Sequence, residues 1–96
     1  DEVLGGLLLR NALKTLARLE PPPAALLFMN GGVRLCCQGS DVLEVLHDLE
    51  GLGVELLCCG TCLDFFHLKE KLAAGRVSNM LEILSRQGSA ERLIRL

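Results

Sequence analysis

The residues with chemistry to offer are crowded into one short stretch, Cys58-Cys59-Gly60-Thr61-Cys62. Cys59 and Cys62 stand in Cys-x-x-Cys spacing. The apolar run before them, Val54-Glu55-Leu56-Leu57, has the length of a buried strand. From Thr61 the pattern turns helical, with Thr61 as a candidate N-cap and Asp64 three residues on. The thiolate is the form of cysteine that attacks sulfur, and a helix start favours an anion, lowering a thiol from its free value of about 8.5. Gly60 is expected to let the backbone turn tightly and leave room for a second sulfur. These residues point to a sulfur-handling loop at a strand-to-helix boundary. The structural counter-reading is a pair of small buried hydrophobes, because free cysteine is often core.

The elements that must position this loop follow from hydropathy and from proline and glycine. Val3 to Leu19 has leucines at helical spacing, with Arg10, Lys14 and Arg18 on another face. Gly5-Gly6 weakens its first turn and suggests a tightly packed approach. Pro21-Pro22-Pro23 ends it. Ala24 to Met29 is continuously apolar, as in a strand covered on both faces. Asn30-Gly31-Gly32 stops the strand, and Val33 to Gln38 is a loop carrying Cys36 and Cys37.

Ser40-Asp41 is predicted to cap a second helix running to about Leu52. Its apolar face is Val42, Leu43, Leu46 and Leu49, and His47 lies on its polar stripe. Gly51 and Gly53 lead into the Val54 strand. A third helix is expected from Thr61 to about Ala73, with Leu63, Phe66, Leu68 and Leu72 inward and Lys69, Glu70 and Lys71 solvated. Gly75 is its predicted left-handed stop. Val77-Ser78 reads as a very short strand. Asn79 caps a last helix, Met80 to about Gln87, with Leu81 and Leu84 inward, and Leu93 to Leu96 reads as an edge strand.

Helix and strand alternate throughout, which implies βαβ units and a mostly parallel sheet between helical layers, a three-layer αβα fold in one domain over residues 1–96. The strand expected before the first helix has no counterpart in the sequence. In such sheets ligands bind outside the carboxyl ends of the strands. Asn30 to Cys37, Cys58 to Cys62 and Ser78-Asn79 all belong to that edge, so all five thiols are expected at one rim. His67 is read as a helix-surface histidine, with a proton relay to the cysteine loop as its accessory role.

Composition narrows the function. Half of the 96 residues are hydrophobic, too many for a disordered chain. A formal net charge of −2, three Phe and no Trp or Tyr leave neither a basic patch nor stacking platforms, so no nucleic-acid partner is expected. No apolar run is long enough to span a membrane, and Asp1-Glu2-Val3 lacks the basic start of a signal peptide. Five cysteines, an odd number with two adjacent pairs, suit a reducing cytoplasm better than a secreted disulfide framework. Neither a nucleophile-elbow serine motif nor a phosphate-binding loop is present.

Phe28-Met29-Asn30-Gly31-Gly32-Val33, Glu55 to Asp64 and Arg76-Val77-Ser78-Asn79-Met80 together resemble the DsrE-like domain of the YedF proteins, sulfurtransferase-like proteins associated with selenium metabolism. The resemblance runs over nearly the whole chain. It implies a DsrE/DsrF-type α/β fold, a cytoplasmic setting, a homo-oligomer, and sulfur or selenium carried as a persulfide or its selenium analogue. The acting cysteine would be Cys59 or Cys62; Cys58, Cys36, Cys37, Asn30, Asn79 and His67 are candidate accessory residues from their places in the sequence and not from the resemblance. The expected partner is a sulfur-carrier protein, such as the TusA-like domain that precedes this type of domain and is absent here. No cofactor is assigned. Cys36-Cys37 departs from the family pattern.

The sequence also leaves other classes open. Cys58, Cys59 and Cys62 with Cys36 or Cys37 would form a four-thiolate zinc or iron–sulfur site, although only one Cys-x-x-Cys is present. A thioredoxin-type dithiol lacks its aromatic and cis-proline context. A non-catalytic partner-binding subunit would use the cysteines only for packing.

Overall fold

The computed structural model describes residues 2–89 and 92–96; Asp1, where the reading of the chain's start begins, lies outside them. Its elements are α1 (Glu2–Leu16), β1 (Ala25–Phe28), α2 (Leu43–Gly51), β2 (Glu55–Cys59), α3 (Gly60–Phe65), β3 (Arg76–Ser78), α4 (Met80–Gln87) and β4 (Leu93–Arg95). The four strands form one all-parallel sheet in the order β3-β2-β1-β4. Right-handed crossovers put α2 and α3, which carry the chain from β1 through β2 to β3, on one face. α4, which carries it back across the sheet to β4, then goes to the other. α1 packs against α2, and the whole is an α/β fold compatible with three layers.

The unbroken apolar runs became the two inner strands. All four residues of β1 are buried, as are Leu56 to Cys59 of β2. Leu13 of α1, Leu46 and Leu49 of α2, Leu63 of α3 and Ile83 of α4 seal the same core. Each such side chain contributes about 1.5–3 kcal/mol by leaving water. The short outer strands match the expected ones, and Asn79 caps α4 through Oδ1, which accepts from Glu82 N at 2.8 Å.

Several expectations are corrected. Val33 to Gln38 is not an irregular loop: Asn30–Cys36 forms a 3-10 helical turn. α2 starts at Leu43 rather than at Ser40-Asp41, and no side chain caps it. Ser40 Oγ accepts from Val42 N at 3.3 Å, while Asp41 pairs with Arg10 at 2.6 Å. Val45 is buried on its inner face, and Leu43 only partly. Gly5 and Gly6 have open space around them, so no tight contact explains them. On α4 the buried residue is Ile83, whereas Leu81 and Leu84 are 78% and 58% exposed. An eight-residue helix on a sheet touches it along one narrow line, and Ile83 occupies that line.

The largest correction concerns α3, which stops at Phe65 instead of Ala73. The stop is a Schellman motif built on His67, whose φ is +56°. His67 N donates to Asp64 O at 3.1 Å and Leu68 N to Leu63 O at 2.8 Å, the paired bonds that close such an end. A short 3-10 turn, Lys69–Lys71, follows. Gly75 is left-handed at φ +74°, but it ends no helix. A Cβ there would meet Leu56 O at 2.6 Å, so Gly75 lets the chain come close beside β2 as it enters β3.

Candidate functional site: the thiols at the carboxyl edge of the sheet

β2 ends at Cys59 and α3 begins at Gly60, so the strand-to-helix junction falls where the cysteines stand. Thr61 is not the cap. Cys59 occupies the cap position with φ −59° and ψ 118° and makes no side-chain cap bond; Thr61 is exposed within the first turn. Gly60 owes its size to β3 rather than to sulfur chemistry. A Cβ there would lie 3.0 Å from Ser78 O and 3.1 Å from Val77 Cγ1.

The five thiols do not share one rim. All five are free, but Cys36, Cys37, Cys58 and Cys59 are buried, and Cys62 alone is partly open. They divide into pairs. Cys36 and Cys58 are hydrogen-bonded inside the core; that bond, with burial behind it, pushes the Cys36 thiol far up, while Cys58 is lowered by it. Cys37 donates to Val33 O at 3.3 Å, and burial raises it too. The remaining pair is the Cys-x-x-Cys itself, with Cys59 buried, Cys62 partly open, and a hydrogen bond from Cys59 acting on the Cys62 thiol.

Cys62 lies at the floor of a cavity of about 300 Å³ lined by Asn30, Thr61, Phe65 and Phe66. Asn30 reaches it from the end of β1: the Asn30 backbone N–H donates to Cys62 Sγ at 3.1 Å, with Asn30 in the left-handed region at φ +52°. Phe65 is 76% exposed at the mouth. The two phenyl rings meet edge to face at 5.1 Å, and the Arg34 guanidinium lies 4.1 Å from the centre of the Phe66 ring.

The electrostatics reverse the expectation of an ionised thiol. Burial pushes the Cys62 pKa above its ordinary value, and the Cys59 hydrogen bond adds to the rise. The Asn30 N–H and the Arg95 charge pull the other way without overcoming it. α3 is only six residues long, so its dipole is small. The balance therefore holds Cys62 toward its protonated form, with two groups already placed to favour its anion.

The other named residues are elsewhere. His67 lines a separate cavity with Asp64, Lys69, Glu70 and Lys71, and its backbone role in ending α3 accounts for its position without a relay to Cys62. Asn79 lines a third cavity with Gly60, Thr61, Asp64, Lys69 and Ser78, beside the caps of α3 and α4. His47 is exposed as expected, with Nε2 2.9 Å from Ala73 O; since that partner is a carbonyl, the ring donates. Among the described residues no group of three or more His, Cys, Asp or Glu side chains is disposed to hold a metal ion, which removes the geometric basis for a four-thiolate centre.

Sequence reasoning missed Phe65 beside the thiol, Arg95 acting on it, and Arg34 behind the Phe66 ring that lines the same cavity. Phe65 was detectable, because of two adjacent phenylalanines in one helix only one can turn fully inward. Arg34 and Arg95 come from distant segments and left no local signal. Comparison with protein-family models, curated proteins and solved structures finds no match to this chain. No helix among the described residues is long and apolar enough to cross a membrane.

Proposed function

We propose that the protein is a sulfur- or selenium-relay module of the DsrE-like kind, acting in the cytoplasm and carrying a persulfide on Cys62 with Cys59 as its resolving partner. The observation that carries this reading is the asymmetry of the Cys-x-x-Cys. One thiol is partly open and lines a cavity at the carboxyl edge of a parallel sheet, and the other, at the end of β2, is buried. Ligands in open α/β sheets bind at that edge.

In the loading step the Cys62 thiolate attacks the outer sulfur of a donor persulfide. A bond forms between Cys62 Sγ and that sulfur, the donor's S–S bond breaks, and the donor leaves as a thiolate that takes up the proton Cys62 lost. In the unloading step an acceptor thiolate attacks the same outer sulfur and Cys62 regains its thiol. Where no acceptor is docked, the Cys59 thiolate attacks Cys62 Sγ. A Cys59–Cys62 disulfide forms, hydrosulfide is expelled, and an external dithiol must reduce the pair before the next cycle. The donor is proposed to be a sulfur-carrier protein of the TusA kind, whose exposed persulfide reaches the cavity past Phe65.

Incubation with a persulfide donor followed by mass spectrometry tests this. Wild-type protein is expected to gain one sulfur atom on Cys62; Cys62→Ser is expected to gain none, and Cys59→Ser to load but fail to release hydrosulfide. Absence of any sulfur adduct on Cys62 sinks the proposal.

A partner-binding subunit without chemistry is the second reading, favoured by the exposed apolar side chains of Met80, Leu81 and Leu84 on α4. It would leave cellular activity unchanged when Cys59 and Cys62 are both replaced by alanine.

A further inference from the structure

Asn30 and Cys62 are far apart in the chain, and the contact between them depends on the backbone of a single turn. Met29 leaves β1 extended at ψ 163°, which directs the Asn30 N–H at Cys62 Sγ, 3.1 Å away, and Asn30 at φ +52° lets the chain turn into the 3-10 segment with that peptide plane held. Asparagine is the non-glycine residue that tolerates this conformation best, while a β-branched residue resists it strongly. The turn is also clamped from outside. Met29 N donates to Leu96 O at 3.1 Å, Leu96 N donates to Leu27 O at 2.7 Å, and Gly32 N donates back to Met29 O at 2.9 Å. Gly32 has no Cβ where one would lie 2.7 Å from Leu96 O, so the residue after β4 fills the space a side chain would need.

We infer that Asn30 is a positioning residue for Cys62: the extended Met29 and the left-handed Asn30, clamped by Leu96 against Gly32, together hold the peptide plane whose N–H meets the sulfur, and that N–H selectively stabilises the thiolate from which sulfur is accepted. The inference rests on the reading of Cys62 as the acting thiol. A main-chain donor serves this purpose better than a side chain, because it carries no charge to repel a cationic donor and cannot rotate away. A hydrogen bond to sulfur is stronger when the sulfur is charged, so the contact favours ionisation. It thereby opposes burial and the Cys59 bond, the two influences that keep the thiol protonated at rest. When a partner covers the cavity and excludes water, the same bond gains strength while the alternative of hydration is lost.

The test is the pH profile of Cys62 alkylation, read by peptide mapping on the full chain. Asn30→Val disfavours the left-handed turn, and Gly32→Ala pushes against Leu96. Each is expected to move the profile toward higher pH and slow alkylation at neutral pH by about tenfold, the weight of one hydrogen bond to a charged group. Asn30→Gly, which keeps both the conformation and the N–H, is the conservative rescue and is expected to restore the wild-type midpoint. In the wild-type protein, the Asn30 amide nitrogen followed by carbon-detected NMR is expected to shift along the same curve as the alkylation rate. An Asn30 nitrogen that stays flat through the Cys62 titration overturns the inference, as does an unchanged profile in Asn30→Val and Gly32→Ala. A Cys62 that titrates with Asn30 yet accepts no sulfur would sink the relay and leave this inference standing.

Discussion

Two cysteines of identical chemistry, Cys59 and Cys62, stand in different surroundings. Cys59 is 1% exposed and closes the top of β2, whereas Cys62 has a cavity above it and a backbone N–H at its side. Position alone decides which thiol meets a partner first, and the spacing Cys-x-x-Cys could not reveal that. The deeper pair has a thermodynamic signature instead. The Cys36 thiol is raised in the folded protein, first by its bond with Cys58 and then by burial, so folding favours the bound proton. Its contribution to stability is therefore complete below its ordinary value of 9.0 and is lost as the pH rises above it. Urea denaturation at neutral pH and above pH 9.0 is expected to show a loss of stability that is smaller in Cys36→Ala; an equal loss in both proteins would place the effect elsewhere.

At the level of elements, sequence and structure agree wherever burial was two-sided. Ala25 to Phe28 and Leu56 to Cys59 admitted no alternative to an inner strand, because every side chain was apolar. Asn79 and the helix after it were equally legible, since a capping side chain acts on its own neighbours. The third helix was not. Leu68 and Leu72 keep helical spacing, and nothing in the local pattern says that His67 takes a left-handed turn. One of the bonds that close that turn runs to the carbonyl of Leu63, whose side chain is fully buried in the core. His67 thus does a glycine's work at a cost of about 1 kcal/mol. His67→Gly is expected to raise stability by about that amount in chemical denaturation, with Cys62 alkylation unaltered. A fall in sulfur loading with unchanged stability would instead restore His67 to the chemistry.

The molecule as a whole buries the middle of its sheet and leaves its margins uncovered. Both edge strands are three residues long, which limits edge-to-edge pairing. An ion network anchors α4 beside one edge: Arg76 reaches Glu82 at 2.6 Å and Glu55 at 3.2 Å, and Arg86 reaches Glu55 at 3.2 Å. Ser78 also donates to Glu82. With its inner face secured in this way, α4 still presents Met80, Leu81 and Leu84 outward, and Val77 of the adjoining strand is 40% exposed. The homo-oligomer that the resemblance to the DsrE-like domain implies, and that we propose here, would cover such a surface. Sedimentation velocity is expected to show an assembly larger than one chain, which Leu81→Asp with Leu84→Asp converts to monomer. A wild-type protein that sediments as a monomer at high concentration would refute it.

β4 lies beside β1, far from it in the chain, and Leu96 bonds both Leu27 and Met29. Those pairings span most of the chain, so their loop-closure entropy is large and they form late in folding. The turn at Asn30 therefore gains its Leu96 clamp after β1 and β2 have paired, and the surroundings of Cys62 are among the last features of the fold to be completed.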